Sequence, residues 1–145
     1  MKINFIKENG TKALDNLSKG INSASNIVTA LGLAKSLIVS RTMTGQSSEG
    51  TKFPDYSTKY KKWKTGQGYS GTPNLSLTGQ MMGDIQFKVV TPSYGILFFA
   101  SNLSQAKAHK HHTGKFPFFH IMDDEYKGMY RAIAMNIKNL VKELK

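Results

Sequence analysis

Four histidines close in the chain, His109, His111, His112 and His120, are the side chains best suited to chemistry. Imidazole nitrogens ligate transition metals and carry protons near neutral pH, so the cluster raises metal binding or metal-assisted hydrolysis. Such a site also needs a carboxylate or thiolate on a fixed scaffold. The chain has no cysteine, the nearest carboxylates are Asp123 and Asp124, and Lys107 and Lys110 would repel a cation. The histidine stretch is therefore read as a solvent-facing or interface loop, with a metal-dependent enzyme kept as a rival. Asp123, Asp124 and Glu125 read as a helix start, because acidic side chains suit the positive end of a helix dipole. There is no Gly-x-Ser-x-Gly elbow, no paired-carboxylate constellation and no phosphate-binding glycine loop before a helix. The chain reads as a non-enzyme with no cofactor.

The second cluster is basic and aromatic: Lys59-Tyr60-Lys61-Lys62-Trp63-Lys64. Cations hold phosphates and aromatic rings stack on bases, so nucleic acid is one partner for it. On a helix, however, Tyr60 and Trp63 are three apart and can pack inward while the lysines stay wet. The net charge of +11 favours polyanions in general, whether nucleic acid, anionic lipid or acidic protein.

These clusters need elements to hold them. Length places the 145 residues in one domain, 1–145, able to bury a core. Met1 to Ile6 alternates weakly and lacks a signal-peptide core, so the protein is expected to stay inside the cell or leave within a particle. The longest apolar run, Leu31 to Val39, is broken by Lys35, which argues against a membrane span. A helix over about 11–39, capped by Asn9 or Thr11, is predicted from Leu14, Leu17, Ile21, Ala24, Val28, Leu31, Ala34, Leu37 and Ile38. Gly32 is a plausible break in it. A loop-rich insert, about 41–74, follows. Within it Arg41 to Gly50 reads as a polar loop without core residues, Ser57 caps a short helix over Thr58 to Lys64, and Thr65 to Asn74 reads as a mobile loop. The remainder, about 75–145, holds two strands (Ile85 to Thr91 and Ile96 to Ala100), a polar stretch from Ser101 to Gly114, and a C-terminal helix from Asp123. The sum is an α+β fold: a small antiparallel sheet packed with a long N-terminal helix and a C-terminal helix, with long loops.

Between insert and sheet lies a joint. Leu75 and Leu77 fit a strand spacing, Met81, Met82 and Ile85 fit one face of a short helix, and Gly79 falls where the periods meet. Asn74, Leu75, Leu77, Gly79 and Met81 are its members, with Leu75, Leu77 and Met81 as core anchors on the two sides of a turn at Gly79.

The order of these motifs resembles the tail-completion or neck proteins of tailed bacteriophages, together with the related Mu-type virion-morphogenesis proteins. Gly50-Thr51-Lys52-Phe53-Pro54-Asp55-Tyr56-Ser57 with Tyr60 looks like the family's first block, and Asn74-Leu75 with Leu77-Thr78-Gly79-Gln80-Met81 like its second. Phe99-Ala100 resembles the strand end, His111-His112-Thr113-Gly114 the His-x-x-Gly loop, and Phe116-Pro117-Phe118-Phe119 the last motif before the C-terminal helix. The match runs over roughly residues 40 to 145. The arginine common in that last motif is missing, which leaves any intersubunit ion pair it makes elsewhere in doubt.

The resemblance implies a virion structural protein: a subunit of a ring, often hexameric, in the neck or at the tail terminus, assembled in the host cytoplasm. Its partners would be copies of itself, connector or stopper proteins and tail-tube or terminator proteins, with transient contact to genomic DNA in the lumen. Lys59, Lys61, Lys62 and Lys64, or Lys107 and Lys110, are expected to face the lumen or an acidic neighbouring ring. Gly66, Gly68, Tyr69, His111, His112 and Gly114 are the expected interface-loop residues. The rival function is a basic, sequence-nonspecific nucleic-acid-binding protein using the Lys59 to Lys64 face.

Overall fold

The computed structural model describes residues 23–91 and 94–143. In chain order the elements are α1 (Ser23–Met43), α2 (Thr58–Gly66), α3 (Gln80–Gly83), β1 (Ile85–Thr91), β2 (Tyr94–Phe99), α4 (Asn102–His112) and α5 (Asp123–Glu143). The fold is α+β, with one antiparallel hairpin as its sheet. The alternating stretch Met1 to Ile6, the caps Asn9 and Thr11, and Leu14, Leu17 and Ile21 lie outside the described residues. No helix among the described residues is long and apolar enough to cross a membrane.

α1 is the shared element: both strands and α5 pack on it. Its inward stripe is Ala30, Leu31, Ala34 and Ile38, with Ile27 partly buried, whereas the expected Val28 is exposed. The helix runs straight through Gly32 without the expected break. A glycine costs roughly 1 kcal/mol in a helix interior. Full burial of a leucine such as Leu31 gains about 1.5–3 kcal/mol, so packing on either side outweighs the glycine.

The hairpin pairs Ile85 with Phe99, Phe87 with Leu97 and Val89 with Gly95. Ile85 and Leu97 are fully buried against the helix layer. β2 begins at Tyr94, two residues before the expected Ile96, because Gly95 lets the strand lie directly on α1. A Cβ at Gly95 would stand 2.5 Å from Leu31 Cδ1 and 3.1 Å from Ile27 Cγ2.

The segment Arg41 to Gly50 departs from its expected reading as a loop without core residues. α1 continues to Met43, and Arg41, Thr42 and Ser47 are buried. Arg41 continues the inward stripe, three residues beyond Ile38, and its guanidinium clasps the far end of the chain. Nη2 donates to the carbonyls of Phe118 (2.9 Å) and His120 (2.6 Å), and Nη1 donates to the Glu125 carboxylate. The same Glu125 oxygen accepts from Met122 N at 2.8 Å, satisfying a donor at the start of α5. Ser47 Oγ accepts from Glu49 N and Thr51 N, and Ser48 N donates to Pro117 O, so the turn after α1 is stapled to the same segment.

The polar stretch Ser101 to Gly114, expected as a loop, is instead the helix α4 up to His112. It lacks an apolar period because only Ser104 and Ala108, one turn apart, are buried. Its start is fixed by Ser101, whose hydroxyl accepts from Ser104 N and donates to Asp84. Hydrogen bonds from Ser101 and Ser104 hold the Asp84 carboxyl below the usual carboxylate range.

Arg41 and Glu125 side chains are nearly inaccessible, so removing one partner strands the other. Arg41→Ala should destabilise the protein by about 3–5 kcal/mol in urea unfolding. The double change Arg41→Met with Glu125→Leu should cost clearly less than the single one.

Candidate functional site

α2 is short and offers one position to the body of the protein. Ser57 caps it, as expected, with its hydroxyl accepting from Tyr60 N. Its C-terminus closes with Gly68 N donating to Thr65 O and Tyr69 N to Lys64 O, the paired bonds of a Schellman turn. The residue facing inward is Lys64, only 1% exposed, whereas Trp63 is 48% exposed and Tyr60 is also open. This reverses the expectation that the aromatics pack inward and the lysines stay wet, and it removes Lys64 from the lumen- or partner-facing set. The Lys64 stem crosses to Asn74, where Nζ donates to Oδ1 at 3.0 Å and lies 4.9 Å from the Tyr56 ring centroid. Burial pushes the Lys64 ammonium pKa down.

Asn74 Oδ1 also accepts from Ser76 N at 3.1 Å, so Lys64 fixes the entry to the joint. The segment from Asn74 to Leu77 is not a strand. Leu75 sits in the left-handed region at φ 53°, unusual for a branched residue and only partly buried. Met81 is a core anchor as expected, while Leu77 is only half-buried and lines a groove. Gly79 has φ 75°, and a Cβ there would meet nothing within 4 Å.

The groove, about 370 Å³, gathers residues that are far apart in sequence. Leu75, Leu77 and Met81 line it from the joint, Tyr56 and Tyr60 from the α2 side, and Lys107, His111 and Phe116 from α4 and its exit. Its aromatic wall is continuous. Ring centroids step from Phe53 to Phe116 (5.5 Å), Phe116 to Tyr56 (6.2 Å), Tyr56 to Tyr60 (4.9 Å) and Tyr60 to Trp63 (5.5 Å), leading from the core to the surface. Tyr56 and Phe116 were absent from the residues singled out for binding, and Tyr60 was weighed only as a base-stacking ring. The nearby Pro54 and Pro117, which hold each aromatic segment extended, were the available signal.

The other expected contact residues spread around this groove. Lys59, Lys61 and Lys62 are exposed on α2, with Asp55 3.7 Å from Lys61, and Lys110 is exposed on α4. Gly66, Gly68 and Tyr69 form the exposed end of α2. His111 and His112 end a helix rather than occupying a loop, and Gly114 follows it closely enough that a Cβ would stand 2.9 Å from Lys110 O.

The histidines part company. His111 faces the groove, His109 and His112 line a separate cavity of about 230 Å³ with Phe98 and Phe119, and His120 is exposed. Among the described residues no group of three His, Cys, Asp or Glu is placed to hold a metal ion. His112 has a structural partner instead: its Nδ1 accepts from the amides of Phe118 (3.3 Å) and Phe119 (3.2 Å). Burial, then the neighbouring His120 and His109, lower its pKa, and burial and Lys110 lower that of His111.

The chain matches no protein-family model, no curated protein and no solved structure.

Two outcomes follow from this geometry. Gly79→Val should lower stability by roughly 1–2 kcal/mol through backbone conformation alone, while Gly79→Asn should be better tolerated, as read by thermal unfolding. A histidine whose folded pKa lies below its unfolded value, about 6.5, contributes stability that is complete above that pH and is lost on acidification through the folded value. Urea midpoints should therefore fall between about pH 7.5 and about pH 5.5. His112→Gln, which keeps an acceptor that does not titrate there, should flatten the fall.

Proposed function

We propose that this chain is a structural subunit of a tailed-phage virion, a ring-forming neck or tail-completion protein that joins the head connector to the tail. It acts by assembly and not by catalysis, first in the host cytoplasm and then in the particle. The motif order described above is one support. The observation that carries the reading is the distribution of uncovered apolar side chains. Phe87, Val90 and Phe98 are exposed on the hairpin, and Tyr130 and Met135, 60% and 64% exposed, stand on α5. A closed ring built head to tail needs two different patches on each subunit, each meeting the other kind on a neighbour. A two-stranded sheet with open edges and a helix covered along one side offer such a pair.

A second reading, sequence-nonspecific nucleic-acid binding, has in its favour the exposed Lys59, Lys61 and Lys62 on a helix without acidic residues. It predicts duplex affinity that falls steeply with salt.

Light scattering and electron microscopy of the purified protein should show rings or concentration-dependent oligomers. Val90→Lys with Phe98→Lys should abolish them, and so should Tyr130→Glu with Met135→Glu. Each double variant keeps the opposite patch, so mixing the two should restore a capped heterodimer and nothing larger. Oligomers unchanged in both variants would remove the reading.

A further inference from the structure

We propose that the groove between α2, the joint and α4, with the exposed α2 ridge beside it, docks an extended acidic segment of another protein. An aromatic or aliphatic side chain of that segment enters the groove. Charge points to the sign of the occupant. Among the described residues no Asp or Glu lines the groove, and Lys107 stands at its edge beside His111, one turn along α4. Lys59 and Lys62 flank Tyr60 and Trp63 on the ridge, and among the described residues no carboxylate pairs with Lys59, Lys62 or Lys107. A chain carrying +11 repels its own copies across such a surface, which favours an acidic partner over a second copy.

Shape and lining point to the kind of occupant. Leu75, Leu77 and Met81 give the groove an aliphatic side opposite the rings of Tyr56 and Phe116. Such a surface takes a side chain well but offers no ladder of free planes for successive bases. The most exposed ring of the ridge, Trp63, is already stacked on Tyr60, with 29° between their planes. The cations stand on two separate elements instead of tracking one backbone. Trp and Tyr beside unpaired cations are the residue types that anchor protein interfaces, and the ring-to-ring path to buried Phe53 holds this surface in place before binding.

This surface would take its segment whether or not the chain forms rings, and the test separates the two. A dye-labelled random copolymer of glutamate and tyrosine is titrated by anisotropy against the full chain at low salt. It is compared with polyglutamate of equal length, oligothymidylate and duplex DNA. The copolymer should bind at least about tenfold more tightly than polyglutamate. Lys62→Glu with Lys107→Glu should abolish binding, and Leu77→Ser should remove the advantage that tyrosine confers. Lys62→Ala with Lys107→Ala serves if the reversed charges disturb folding, as judged by circular dichroism. Oligomeric state should be the same in all these variants. Equal affinity for polyglutamate, tighter binding of either nucleic acid, or unchanged binding in the charge variants would overturn the proposal. Altered oligomers in the charge variants would also overturn it, by making a second copy the occupant.

Discussion

One guanidinium holds the chain's two halves together. Arg41 ends the inward stripe of the central helix and reaches the Phe118–His120 backbone and Glu125, 84 residues away. A planar fork with several fixed donors can serve two carbonyls and a carboxylate at once, which a lysine cannot. Glu125 in turn caps α5, so the same contact sets where the last helix begins. The aromatic segment around Pro117 is thereby pinned, and Phe118 and Phe119 enter the core while Phe116 is left to wall the groove. Arg41 brings a guanidinium to this segment from another element of the same chain.

Much of the architecture was legible because it is written in periodicity and caps. The hairpin's first strand, the Ser57 cap, the acidic start of α5 and the turn at Gly79 each follow from local chemistry that tertiary packing did not override. What was not legible has a common cause: polar residues recruited inward by partners distant in the chain. Arg41 and Ser47 read as loop residues until Phe118, Glu125 and Thr51 are beside them. Lys64 reads as a surface cation until Asn74 and the Tyr56 ring surround it. α4 reads as a loop because small residues, Ser104 and Ala108, bury it without an apolar stripe.

The same reasoning separates what the candidate residues can do. The lysine run of α2, uniform as a string, divides into one internal strut and three exposed cations. The histidine cluster divides into a groove residue, a backbone acceptor and two exposed side chains. The joint between insert and sheet turns out to form one wall of the groove, with Lys64 bonded to Asn74 at its entry. Positions that looked unrelated in sequence, the α2 aromatics, the joint and α4, share one concave surface.

The thin anchoring of α4 has a dynamic consequence. Helices held by large buried side chains open only with the whole domain, whereas those resting on small ones open alone and more often. α4 carries Lys107 and His111, so one wall of the groove belongs to a helix held by two small buried residues, while Phe116 and Tyr56 are tied to the core through Phe53. Amide exchange would be fast along α4 and slow along α1, and the surface would widen on one side only. An acidic segment docked as proposed would then meet the aromatic wall first and draw the α4 side down upon itself.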